Sequence, residues 1–245
     1  MIKRWISLLL LLSIVFPIVA QTPQPEPAVL VVNYVQVPAT DGRTLHGSFY
    51  SNEDSTSAVL LLHQMRKDRT SWDSAIDGLL KAGLNILAPD MRGFGVTGGE
   101  FDPQKAQADV QKWIEWLREQ GINQIYIVGA SIGANLGIIA CAQTPECEST
   151  VAISPGSDFF GVQPASTLQG DYGSRPILFI ASRGDSYSAT SVFELAMKAQ
   201  GDVTVQMYQG DKHGTNLFDD SPEGADALCD LIVWLYNACL FGILS

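Results

Sequence analysis

The stretch Ile125-Tyr126-Ile127-Val128-Gly129-Ala130-Ser131-Ile132-Gly133 decides how this chain folds. Its first four residues make a short apolar run suited to a strand covered on both faces. Residues 132–142 then read as an apolar helix. Between them, Gly129-x-Ser131-x-Gly133 must turn the chain sharply, which forces the serine into strained backbone and demands small neighbours on both sides. Such a turn lifts the Ser131 hydroxyl above the sheet and sets the free N–H groups of a helix N-terminus beneath it. The plainer reading is a glycine-rich turn with Ser131 as a helix cap. The pentapeptide alone is common by chance; a strand before it and a helix after it make the reactive serine the expected reading.

Outward from this turn the chain alternates between strand and helix patterns. Residues 31–39 and 44–50 alternate apolar and polar around the Asp41-Gly42 turn signal and predict a β-hairpin. Apolar runs at 58–62, 84–88, 150–153 and 177–180, with 203–208 after them, predict further strands. Trp72, Ile76, Leu79 and Leu80 mark a helix over 71–82, and Val110, Trp113, Ile114 and Leu117 mark another ahead of Gly121. Helices are also expected over 192–199 and through Leu228, Leu231, Ile232 and Leu235. The sum is an α/β fold: a mostly parallel central sheet with an antiparallel N-terminal hairpin and helices on both faces. In such sheets reacting groups stand on loops at the carboxyl ends of strands.

A serine at neutral pH needs a base, and the chain holds three histidines. His46 lies inside the hairpin and reads as structural. His63 ends the strand at 58–62. His213, in Gly210-Asp211-Lys212-His213-Gly214 between the last strand and the last helix, is the expected base. The carboxylate that would fix its tautomer is expected to be Asp185, after the strand at 177–180, with Asp158 after the strand ending at Ile153 as the rival. No two histidines stand at metal-ligand spacing, so neither a catalytic metal nor a cofactor is expected.

Ser131, Asp185 and His213 occur in the chain order typical of α/β-hydrolases. Leu61-Leu62-His63 resembles the strand leading into that family's oxyanion loop, and Asp90-Met91-Arg92-Gly93-Phe94-Gly95 resembles its D-x-R-G-x-G turn. The resemblance covers nearly all of residues 31–240 and is nearest to small dienelactone-hydrolase-like and esterase-like members. It implies carboxylic ester hydrolysis through an acyl-enzyme on Ser131, with a small-molecule or exposed ester as substrate. By the same analogy the backbone N–H groups of Met65 and Ile132 form the oxyanion hole. The usual His-Gly is His63-Gln64 here, which leaves Gln64 or Met65 as the donor. Dienelactone hydrolases proper use a cysteine nucleophile, so that substrate does not carry over. Exported peptidases, thioesterases and acyltransferases use the same parts, and a non-catalytic binding protein on this fold is the alternative of another class.

Residues 154–176, broken by four glycines and three prolines, are too few for a large cap domain and predict an open site lined by a loop. Composition agrees with one soluble domain: 245 residues, 46% hydrophobic and 17% charged. A net charge of −11 argues against nucleic acid and anionic membrane as partners. Residues 1–20 have the layout of a secretory signal peptide cleaved near Ala20, residues 21–28 that of a proline-rich linker, and residues 29–245 hold the hydrolase-like domain. The expected location is exported, without stable membrane insertion after cleavage; an uncleaved N-terminal anchor is the alternative. Cys141 and Cys147 flank Thr144-Pro145 and are able to meet across that turn as a disulfide, or to remain two buried thiols. Arg66, Lys67 and Arg69 read as a solvated loop, or as a cationic patch drawing in an anionic part of a substrate. Gly93-x-Gly95-x-x-Gly98 matches a dinucleotide fingerprint but lacks a helix opening on its glycines.

Overall fold

The structure, a computed structural model, describes residues 32–241. The leader and linker expected at 1–28 lie outside the described residues. Eight strands form one sheet: β1 (Val32–Pro38), β2 (Thr44–Tyr50), β3 (Ser57–Leu62), β4 (Asn85–Asp90), β5 (Gln124–Ala130), β6 (Cys147–Ile153), β7 (Ile177–Ser182) and β8 (Val203–Tyr208). Their order is β1-β2-β4-β3-β5-β6-β7-β8. β1 and β2 pair antiparallel, as does β2 with β4, and every pairing from β4 onward is parallel.

The continuous apolar runs have a direct cause. On β3, Ala58, Leu60 and Leu62 enter one core layer while Val59 and Leu61 enter the other, as the two-residue period of a strand requires. The first layer is closed by α2 (Pro103–Glu119), α3 (Ile132–Ala142) and α5 (Ser186–Ala196). The second is closed by α1 (Asp73–Lys81) and α6 (Pro222–Phe241). α2 starts where Asp102 accepts the N–H groups of Gln104 and Lys105, with Pro103 in the first turn where its missing donor does no harm. Its stripe of Ala106, Val110, Trp113, Ile114 and Leu117 is buried.

Two expectations need correction. The helix expected over 192–199 runs instead from Ser186 to Ala196; its first turn is too polar to show apolar periodicity, and Asp185 at its N-cap position makes no side-chain cap bond. The 154–176 segment contains α4 (Ala165–Gln169), a single five-residue turn whose Leu168 is buried. No large cap is formed by the segment. Of the two alternatives for Cys141 and Cys147, the structure forms the disulfide, with Cα atoms 5.2 Å apart.

The topology also places the site. From β3 the chain crosses to β4 on one side, then returns past β3 to β5 on the other. The carboxyl ends of β3 and β5 therefore flank a switch point, where helices leave the crevice open. Ser131 and His63 stand there, one residue beyond β5 and β3 respectively.

Candidate active site

Ser131 is where the local sequence concentrates strain. Its backbone sits at φ 55°, ψ −121°, a conformation costing about 1–3 kcal/mol in a non-glycine residue. The backbone is held there: its N–H donates to the Ile153 carbonyl at 2.8 Å, and its own carbonyl accepts from Ala134 at 2.9 Å. The flanking glycines are needed for close approach. A Cβ on Gly129 would overlap the Gly133 carbonyl, and one on Gly133 would overlap the carbonyls of Leu62 and His63. Among the described residues, the Ser131 side chain has no hydrogen-bond partner, and it does not cap α3.

Asp185 and His213 do meet. His213 Nδ1 donates to Asp185 Oδ2 at 2.6 Å, with the ring about a third exposed and the carboxylate largely covered. Burial alone would raise the Asp185 carboxyl, but hydrogen bonds from His213 and Ser188 outweigh it and hold it below the usual carboxylate range. Ser188 is fully buried; its hydroxyl donates to the Ser154 carbonyl at 3.2 Å and lies 3.5 Å from His213 Nδ1. Ser154, itself at φ 48°, accepts the Gly214 N–H on its hydroxyl at 2.9 Å. The rival carboxylate, Asp158, instead binds Gly161 N–H at 2.7 Å and the Gln163 side chain at 2.6 Å. Asp158 therefore shapes its own turn. No hydrogen bond joins Ser131 to His213 among the described residues; such bonds are commonly long before substrate arrives.

The loop after β3 is fixed from beneath by a residue the sequence left without a role. His63 is fully buried. Its Nδ1–H donates to the Gln64 carbonyl at 2.8 Å, and its Nε2 accepts the Met91 N–H at 2.9 Å. Burial pushes its pKa down, against the pull of the Gln64 carbonyl, so the neutral ring with a proton on Nδ1 fits both bonds. The Gln64 carbonyl also accepts from Lys67 N–H at 3.3 Å. Because the peptide is trans, the Met65 N–H points opposite that carbonyl. Neither Met65 nor Ile132 N–H finds an acceptor among the described residues.

Polar residues near the site are otherwise occupied. Asp90 takes the Arg69 and Val96 N–H groups and an ion pair from Arg69. Arg69 is thereby removed from the proposed cationic patch, leaving Arg66 and Lys67 exposed. His46 lies on β2, opposite Asp90 at the end of β4, where its backbone N–H donates to the Thr97 hydroxyl at 2.9 Å. No group of three or more His, Cys, Asp or Glu among the described residues is arranged to hold a metal ion.

A family model described as the alpha/beta hydrolase fold matches residues 57–217, from the start of β3 to just past His213. The chain belongs to the alpha/beta hydrolase family. Epoxide hydrolase 2 of Siraitia grosvenorii is 31% identical over 110 residues, which is 44% of this hydrolase and 34% of that protein. Epoxide hydrolase 1 of the same organism matches equally far. The chain thus spans about a third of the length of the curated relatives it matches. Among solved structures, an esterase from Pyrococcus furiosus superposes with a TM-score of 0.72 at 20% identity, covering 90% of this hydrolase and 96% of that chain. A dienelactone hydrolase from Anabaena variabilis gives 0.71 at 18% identity, covering 84% and 97%. At these identities the likeness to the solved structures is one of fold.

Proposed function

We propose that this hydrolase cleaves carboxylic esters through an acyl-enzyme formed on Ser131. One observation carries the reading: a strained serine with an unbonded hydroxyl opens α3, while His213, bonded to Asp185, stands on the loop after β8 at the same carboxyl edge of the sheet. Ser131 Oγ attacks the ester carbonyl as its proton passes to His213. The tetrahedral oxyanion is held by the N–H groups of Met65 and Ile132. His213 then returns the proton to the departing alcohol, leaving the acyl group on Ser131. Water activated by His213 releases the acid and restores the serine. Asp185 holds the ring in the tautomer that leaves Nε2 free and stabilises the charge it acquires.

The nucleophile separates this reading from epoxide opening, the reaction named in the curated relatives. A serine alkoxide attacking an epoxide would form an ether, which water does not cleave under these conditions. Attack on a carbonyl forms an ester, which the same base can hydrolyse. The short 154–176 segment supports small acyl groups, because a long chain gains its ~0.8 kcal/mol per CH₂ only where a wall buries it. The Cys141–Cys147 bridge supports maturation in an oxidising compartment, in keeping with an exported protein.

The test is a serine-directed fluorophosphonate probe together with a p-nitrophenyl ester series. Wild-type protein should label once, prefer acyl chains of about two to four carbons, and lose both label and turnover in a folded Ser131→Ala variant. A folded, unlabelled wild type would support the binding-protein alternative, and a rate maximum at long chains would overturn the open-site reading.

A further inference from the structure

Gln64 stands where the resembling family carries glycine, and its side chain does something a glycine cannot. It is buried, at 5% exposure, and it reaches from the end of β3 to the loop after β8. There Nε2 donates to the His213 carbonyl at 3.2 Å, while Oε1 accepts the Thr215 N–H at 2.6 Å and the Thr215 hydroxyl at 3.0 Å. One amide thus takes a donor and an acceptor on either side of Gly214, as a paired strand would. The fit needs the glycine between them: Gly214 sits at φ +59°, and a Cβ there would overlap the Gln64 amide. The Gln64 backbone meanwhile forms the loop that carries the Met65 N–H.

We infer that Gln64 is a positioning residue, locking the base-bearing loop to the oxyanion loop so that His213 and the Met65 N–H keep one mutual geometry. This rests on the ester-hydrolase reading above. His213 is otherwise held by two contacts from outside its own loop, at its ring by Asp185 and, through the Gly214 N–H, by Ser154, while within the loop its carbonyl also accepts the Asn216 N–H at 3.3 Å. Neither contact restrains the peptide that carries the ring along the direction of the oxyanion loop; the Gln64 amide does. Glutamate would keep the Thr215 bonds but set a carboxylate oxygen against the His213 carbonyl, and methionine would keep the shape with no bond at all.

The decisive measurement is kcat per labelled site, with the site count taken from fluorophosphonate titration of the full chain. Gln64→Met should lower kcat per site about 10- to 100-fold, the scale of a small misplacement of reacting groups, with KM changed less than about threefold. A role confined to folding would instead lower the number of labelled sites and leave kcat per site alone. If Gln64 acts through His213, the losses should not multiply: in an Asp185→Asn background, Gln64→Met should cost less than about threefold, since the ring is already misplaced. Unchanged kcat per site, or fully multiplicative losses, overturns the assignment. Should the methionine variant not fold, Gln64→Glu decides by the same two readings. Failure of wild-type protein to label at all defeats the serine-hydrolase reading instead, so the two failures are distinguishable.

Discussion

Two glycine-rich turns follow consecutive strands of this chain, β4 and β5 on either side of β3, and use their polar groups in opposite ways. After β4, the left-handed positions are all glycines, Gly93, Gly95, Gly98 and Gly99, and the charged side chains are fully engaged. Asp90 binds Arg69 and the Val96 N–H, while Arg92 forms two bonds to Asp109, at 2.6 and 2.7 Å, and a third to Asp41. After β5, the left-handed position is a serine, and its hydroxyl is bonded to nothing among the described residues. The first turn is at rest. The second holds strain and an unsatisfied group, which is what chemistry at a site requires and stability alone does not. The difference separates substitutions that should change turnover from those that should change folding.

The largest expected effect lies on the reactive side. Asp185→Asn should lower turnover by up to ~10⁴-fold, since the imidazole then loses its tautomer control. Asp158→Asn should change turnover less than about threefold, because the Asp158 carboxylate bonds only within its own turn. Specific activities of the two folded variants settle the ranking, and the reverse order would move the acid to Asp158.

On the resting side the expected change is in stability. Arg92→Met strands the buried Asp109 carboxylate, whose pKa burial already raises against the pull of Arg92. Breaking such a pair costs about 3–5 kcal/mol. Thermal unfolding should show a drop of about 10 °C, with turnover per labelled site near wild type. Replacing Asp109 with leucine in the same chain should recover most of the loss, because both charges then leave together. A large fall in turnover per site would dissolve the distinction between the turns.

Acid should weaken the resting turn through His63. Its Nε2 accepts the Met91 N–H, so a proton there breaks a buried bond, and the fold holds its pKa below the ordinary 6.5. The unfolded chain takes up a proton just below that pH while the folded chain does not, so stability falls as pH drops through this window. Melting curves between about pH 7 and pH 5 should show a steeper decline for wild type than for His63→Asn. Equal slopes would remove His63 from the account. The smallest effect expected is a gain: Ser131→Gly should raise stability by about 1 kcal/mol by relieving the positive φ, while abolishing turnover.

Much of this was legible in the chain. The apolar runs of β3 to β7 announced strands buried on both faces, and the turn at Gly129–Gly133 could be read because its glycines answer a local steric demand. Strand-end position narrowed the partner of His213 to Asp185 or Asp158, and the structure makes the contact with Asp185. What escaped was either polar periodicity or distance. α5 opens with Ser186, Tyr187 and Ser188, which carry no apolar stripe, so its start and the Ser188 contact to His213 were hidden. The partners of the Gln64 side chain lie 149 and 151 residues away, and no local pattern reports a contact of that span. His63 looked like the end of a strand because its two bonds are to backbone groups.

The helix that begins at the serine is tethered at both ends by different means. At one end the backbones of α3 and the sheet touch through glycine; at the other, Cys141 is joined covalently to Cys147 at the start of β6. An 11-residue rod, about 16 Å long, with both tips pinned to the same sheet has little freedom to fray or pivot by itself. Motion of Ser131 relative to the strands beneath it then requires the strands to move as well. Amide exchange along α3 should accordingly track opening of the central sheet rather than local unwinding, so that the Ser131 hydroxyl is carried only by motion of the sheet itself.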